Sequence, residues 1–158
     1  MVFNIRNSFF VLMACVSLLC GCSSDLSPLY EEGVSKELAH YRKESIKDLQ
    51  YNLCFDIPKE LSKGVFGKVD ISFSLQEQCE IIIDFRESAD KIKNIDVNGN
   101  IAEYQFRNEH IIIPKSEFNL GENIIKIDFI AGDQSLNRNK DFLYTLLVPD
   151  RARTLFPC

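Results

Sequence analysis

The chain has 158 residues, 46% hydrophobic and 26% charged, with 23 acidic residues against 18 basic ones and a formal net charge of -5. This is one domain's worth of ordinary globular composition, which excludes disorder. The acidity argues against a nucleic-acid partner, which needs a basic face to replace phosphate counterions. With only two histidines, His40 and His110, a His-rich metal site is excluded, and any Ser-His-Asp chemistry would rest on one of the two.

Residues 1–21 read as an export signal. Arg6 is the one charge in Met1–Asn7, and the stretch Ser8–Leu19 carries none. That apolar run is too short to cross a bilayer, which takes about 20 residues, and a short apolar run behind a basic start is a secretory signal. Leu19-Cys20-Gly21-Cys22 then resembles the bacterial lipoprotein cleavage site. Gly21 is small enough for the peptidase, and Cys22 offers a thiol to accept lipid. Cys15, behind Leu12-Met13-Ala14, is the weaker alternative because it leaves the apolar core too short. The mature chain is thus expected to begin at Cys22, to continue as a polar tether over residues 22–33, and to hang from a membrane of the bacterial cell envelope by acyl chains.

With Cys15 and Cys20 removed and Cys22 lipidated, Cys54, Cys79 and Cys158 remain. Cys54 and Cys79 read as small buried hydrophobes, with a disulfide between adjacent strands as the alternative. No CxxC or Cys-His spacing suggests zinc.

The folded body is expected over 34–158. A helix is predicted at about 35–47, with Ser35 as N-cap, Leu38 and Tyr41 at helical spacing, and a charged opposite face. His40 and Glu44 are spaced like two ligands on that face, but a solvated surface accounts for both. From Leu49 the period becomes two. Leu49–Ile57 and Val69–Leu75 alternate, and Pro58 ends the first run. Ile81–Phe85 is continuously apolar, as a strand covered on both faces would be. Ile92–Val97 and Ile101–Phe106 flank Asn98-Gly99, a hairpin signal. His110–Ile113, Ile124–Ala131 behind a Gly121-Glu122-Asn123 turn, and Phe142–Val148 complete the set. His110, at a strand start beside Glu109, reads as a surface histidine. Eight strands with regular turn signals predict an all-β protein: one antiparallel β-sandwich or saddle-shaped sheet preceded by a short helix, with no internal repeat.

The last quarter carries a more specific signal. Ala152-Arg153-Thr154-Leu155-Phe156-Pro157-Cys158 resembles the segment A-R-x-x-F-P-C-F-D-x-P that closes the N-terminal β domain of the zinc aminopeptidases, the family of aminopeptidase N and the bifunctional leukotriene hydrolases. Asp141-Phe142-Leu143-Tyr144 resembles that family's loop toward the active site. Ile81-Ile82-Ile83-Asp84-Phe85-Arg86, Val97-Asn98-Gly99 and Gly121-Glu122-Asn123 fit its strands and turns. The resemblance spans Ser35 to Cys158. It implies an aminopeptidase N-like N-terminal domain from a metallopeptidase that removes single residues from peptide N-termini. The zinc of such an enzyme lies in the next domain, on an H-E-x-x-H helix with a downstream glutamate. This chain has no H-E dipeptide, since His40 precedes Tyr41 and His110 precedes Ile111. No cofactor is therefore expected in it, and no catalysis by it alone.

In that family the N-terminal domain supplies a Glu or Gln that accepts a hydrogen bond from the substrate's α-ammonium. Asp141 stands at the corresponding position, one methylene short, with Gln134 as the alternative. Arg151 and Arg153, with Asp150 beside them, read as domain-interface residues, and Phe156-Pro157-Cys158 as an end left exposed where a partner domain is absent. The leading expectation is the non-catalytic domain of a lipid-anchored zinc aminopeptidase, truncated before its zinc domain. The second is a stand-alone lipid-anchored binding module of the envelope, and the third a domain that docks in trans on a separate catalytic domain.

Overall fold

The computed structural model describes residues 27–158, so the signal, Cys22 and the start of the tether lie outside the described residues. From Ser27 the chain is already docked: the 3₁₀ turn Ser27–Tyr30 buries Leu29, and the Ser35 hydroxyl donates to the Pro28 carbonyl. Residues 27–30, read from the sequence as part of a polar tether, pack on the domain instead, because Leu29 has an apolar cluster to enter. Helix α1 spans Lys36–Ser45. Ser35 Oγ accepts from the Leu38 amide at 3.0 Å, Glu37 sits in the first turn, and Arg42 and Lys43 sit in the last, as the helix dipole favours.

Ten strands follow: β1 (Ile46–Asp56), β2 (Phe66–Leu75), β3 (Ile81–Asp84), β4 (Ile92–Val97), β5 (Asn100–Ile101), β6 (Gln105–Arg107), β7 (His110–Ile113), β8 (Gly121–Ile130), β9 (Leu136–Arg138) and β10 (Leu143–Thr145). They form a five-stranded sheet in the order β1-β2-β8-β4-β5, a three-stranded sheet β3-β7-β6, and the separate hairpin β9-β10, all antiparallel. The first two sheets make a sandwich. Val69, Ile71, Phe73, Ile125, Ile127 and Phe129 of the larger sheet meet Ile81, Ile83, Ile111 and Ile113 of the smaller in one core. Alternate residues of the larger sheet face outward and are polar, with Lys68 and Asp128 paired across strands at 3.3 Å.

The isoleucine runs are explained by register. Ile81 pairs Ile113 and Ile83 pairs Ile111 on the core face, while Ile82 pairs Ile112 on the other. That second face would be wet without α1. Instead Leu38 and Leu29 close over Ile82 and Ile112, with Tyr30 and Tyr41 half-buried at the rim. Asp84 pairs His110 in the same register and falls, by the period of two, on the face covered by α1.

Two differences from the sequence reading have local causes. The strand expected over Ile101–Phe106 is broken: β5 ends at Ile101, and the chain crosses at Ala102–Tyr104 to pair as β6 in the other sheet. An unpredicted second hairpin, β6-β7, turns at Asn108 and Glu109, both at positive φ, much as Asn98-Gly99 does between β4 and β5. Gly67 in β2 is required by packing, since a Cβ there would lie 2.3 Å from the Phe129 ring opposite it.

The C-terminal residues also differ from expectation. Rather than standing exposed, they close one end of the sandwich. Leu155 enters the core, Pro157 is buried, and Phe156 packs edge-on against Phe55. Cys158 and Asp84 exchange both backbone hydrogen bonds, at 2.7 and 2.9 Å, extending the edge of β3. Gly132 admits this turn, for a Cβ on it would fall 2.0 Å from the Thr154 carbonyl. Arg153, expected at a domain interface, is buried and pairs with Glu109 and Asp150, and Glu109 also holds Arg86. Arg151 donates to the Gln134 carbonyl at 3.3 Å. Both arginines thus tie this domain to itself, because strand order brings Glu109 of the β6-β7 turn beside residues 150–153.

Candidate functional site

The hairpin β9-β10 is rooted in the core by Leu136, and the stretch from Phe142 onward displays what the sandwich hides. Phe142, Leu143, Tyr144, Leu146 and Val148 are five large apolar side chains exposed within seven residues, and the Phe142 and Tyr144 rings stack at 5.9 Å. Its base is fixed. Arg138 donates to the carbonyls of Pro58, Glu60 and Lys63, and the Ser135 and Thr154 hydroxyls are bonded at 2.6 Å. Its tip is shaped by Asn139, whose side-chain oxygen accepts from the amides of Asp141 and Phe142 while its own amide donates to the Phe142 carbonyl. A rigidly based, apolar and exposed hairpin has the character of an interaction surface rather than of a core element.

Asp141 is exposed at that tip, with no donor reaching its carboxylate among the described residues. Gln134 is exposed at the base, before β9.

The histidines divide. His40 is exposed on α1. His110, expected at the surface, is completely buried, because Asp84 and Glu31 each provide an acceptor for its ring. Its Nδ1 lies 2.8 Å from Asp84 Oδ1 and its Nε2 2.7 Å from the Glu31 carbonyl oxygen. Arg42 reaches down from α1 and grips Asp84 with both terminal nitrogens, at 2.6 and 2.8 Å, while Nε and Nη2 donate to the Ile82 carbonyl. Burial pushes the Asp84 carboxyl up, but hydrogen bonds from Arg42 and His110 outweigh it and hold the group below its ordinary 3.8. Beside it, burial and then the Asp84 charge raise the Cys158 thiol to about 11, and burial raises the Tyr51 phenol to about 12. Both are neutral near pH 7.

Among the described residues Cys54, Cys79 and Cys158 are free, with Cys54 exposed and Cys79 half-exposed. The reading as a buried hydrophobe fails for Cys54, which lies on the outer face of edge strand β1 opposite Lys68, while Cys79 is partly buried against the core. Among the described residues no group of His, Cys, Asp and Glu side chains is placed to hold a metal, and no helix is long and apolar enough to cross a membrane.

Fold and site together define an antiparallel β-sandwich module carrying an apolar hairpin arm. Solved structures with this fold include yeast LTA4 hydrolase in complex with bestatin, at TM-score 0.61 and 19% identity over 73% of this chain and 21% of that one. Native yeast LTA4 hydrolase aligns at TM-score 0.59 with 19% identity, and native leukotriene A4 hydrolase from Saccharomyces cerevisiae at 0.58 with 16%, with the same coverage. At these identities the likeness is one of fold, and the chain spans about a fifth of the length of the hydrolases it matches. No protein-family model and no curated protein matches the sequence.

Proposed function

We propose that this chain is the non-catalytic β domain of a lipid-anchored zinc metallo-aminopeptidase, and that its β9-β10 arm docks on the zinc-bearing domain. The observation that carries this is the arm itself: five exposed apolar side chains on the hairpin and the residues just after it, within a fold shared with part of leukotriene hydrolases. The sequence resemblance at Ala152–Cys158 points the same way, although those residues are engaged in packing their own domain. The described residues do not fit zinc, so the metal and its H-E-x-x-H helix belong to another domain, whether on the same polypeptide or encoded separately. Asp141 at the arm's tip would accept from the ammonium of a bound peptide, with Gln134 as the alternative. The membrane is the other partner, through acyl chains on Cys22 at the envelope.

The test is affinity purification of the chain from its own cells, followed by measurement of zinc and of aminoacyl-coumarin hydrolysis. Co-purifying zinc and activity, both lost from a Phe142→Ser/Tyr144→Ser variant, are the expected result. A chain that carries neither overturns the peptidase reading. Metabolic labelling with a fatty-acid analogue, abolished by Cys22→Ala, tests the anchor separately. The alternative, a stand-alone envelope binding module, is favoured by one observation: the C-terminal residues pack on their own sandwich instead of presenting an apolar end.

A further inference from the structure

The buried histidine is bonded in a way only one of its protonation states allows. Neither acceptor can reverse roles: a backbone carbonyl never donates, and Asp84 is held ionised by Arg42. Both ring nitrogens must therefore carry protons, which is the imidazolium form. We infer that His110 is a pH-operated latch that holds the N-terminal segment Ser27–Gly33 on the outer face of the three-stranded sheet.

The consequence of losing a proton is directional. The Asp84 carboxylate faces Nδ1 at 2.8 Å and favours a proton there, so the departing proton is that on Nε2. A ring lone pair then confronts the Glu31 carbonyl at 2.7 Å, two acceptors with no hydrogen between them, on a ring that is itself fully buried. Asp84 stays satisfied by Arg42, so the sandwich keeps its ion pair and the strain falls on Glu31. That residue adjoins the contacts that seat the segment: Tyr30 donates to Glu80 at 2.6 Å, Arg107 lies over the Tyr30 ring, Asn108 donates to the Tyr30 carbonyl, and Leu29 is buried against α1.

The charged and titratable groups around the latch are few. Asp84 on β3 and Arg42 on α1 face it directly; the segment meets the ring through the Glu31 carbonyl, with the Glu31 and Glu32 carboxylates exposed and the Tyr30 hydroxyl donated to Glu80. Tyr51 and Cys158 lie beyond Asp84 and are neutral near pH 7. Glu109, next in sequence, is occupied by Arg86 and Arg153, and Arg107 by the Tyr30 ring. Histidine is the side chain whose ordinary charge change falls in the range between about pH 5 and 8. The latch is therefore closed at mildly acidic pH and opens as the pH rises.

The readout is amide exchange at Leu38 and Ala39, both bonded to Ser35, which is itself tied to Pro28 of the segment. In the full chain, their protection, corrected for intrinsic exchange, should fall roughly tenfold or more between about pH 6 and about pH 9, the worth of one charge-assisted hydrogen bond. Amides of β2 and β8 should hold theirs. His110→Gln, whose single amide cannot donate to both acceptors, should be low and pH-independent at Leu38 and Ala39. A flat wild-type profile, or a variant that titrates like wild type, overturns the latch. Should His110→Gln fail to fold, NMR of the wild-type ring decides. Two ring N–H signals at low pH, with the Nε2–H lost together with a shift of the Glu31 resonances, support the latch. A single N–H throughout overturns it.

Discussion

Arg42→Ala is the perturbation whose cost follows most directly from the geometry. The guanidinium makes two bonds to Asp84 and two to the Ile82 carbonyl, and the two side chains are 22% and 6% exposed. Removing one member of a buried pair typically costs about 3–5 kcal/mol, because the other charge is left without compensation. Two features reduce that figure here. Arg42 is partly screened by solvent, and His110 continues to donate to Asp84. The expected loss is therefore about 2–3 kcal/mol, or roughly 10 °C in melting temperature for a domain of this size. Urea denaturation at pH 7 measures it, with the slope confirming that both proteins unfold in the same way. Arg42→Met with Asp84→Leu should be more stable than the summed single variants by about 1 kcal/mol or more, since the pair is removed together. A loss within about 0.5 kcal/mol for Arg42→Ala, or strict additivity in the double variant, would refute the reasoning.

Acid should destabilise the fold through Asp84. Its folded value is depressed, so its contribution is complete above the ordinary 3.8 and disappears as pH falls through the folded value; Asp84→Asn should flatten the acid limb of a melting-temperature profile. Gly67→Ala places a methyl into the Phe129 ring and should cost about 1–3 kcal/mol by overpacking, a cost that Phe129→Leu in the same chain should partly relieve, as read by thermal melts. Peptide-mapped maleimide labelling at pH 7 should modify Cys54 quickly and Cys158 slowly, since burial holds the latter's thiol near 11. On the proposed function, in a complex with a zinc-bearing domain, Asp141→Ala should raise KM for an aminoacyl substrate by about tenfold, the worth of a charge-assisted bond, while Asp141→Glu should retain affinity.

The period-two pattern was enough to find most of the strands, because alternation records which side of a strand faces oil and which faces water. The isoleucine run 81–83 carried the further message that both faces are covered. The break after Ile101 was invisible, since Ala102-Glu103-Tyr104 reads as continued alternation and only the second sheet draws Gln105–Arg107 away. The arm was legible as an apolar run but not as a surface, because hydrophobicity does not say whether a partner strand covers it.

What the sequence alone determined is therefore local: the capped helix, the strand periods, the Asn98-Gly99 turn and the absence of an H-E-x-x-H metal motif. The pairing of distant strands decided the rest. Asp84 and His110 share a face only because β3 and β7 are in that register, and Arg42 meets them only because α1 folds back over it. A histidine at a strand start has no preferred side until its partner strand is fixed, so its burial and its two acceptors belong to the tertiary structure.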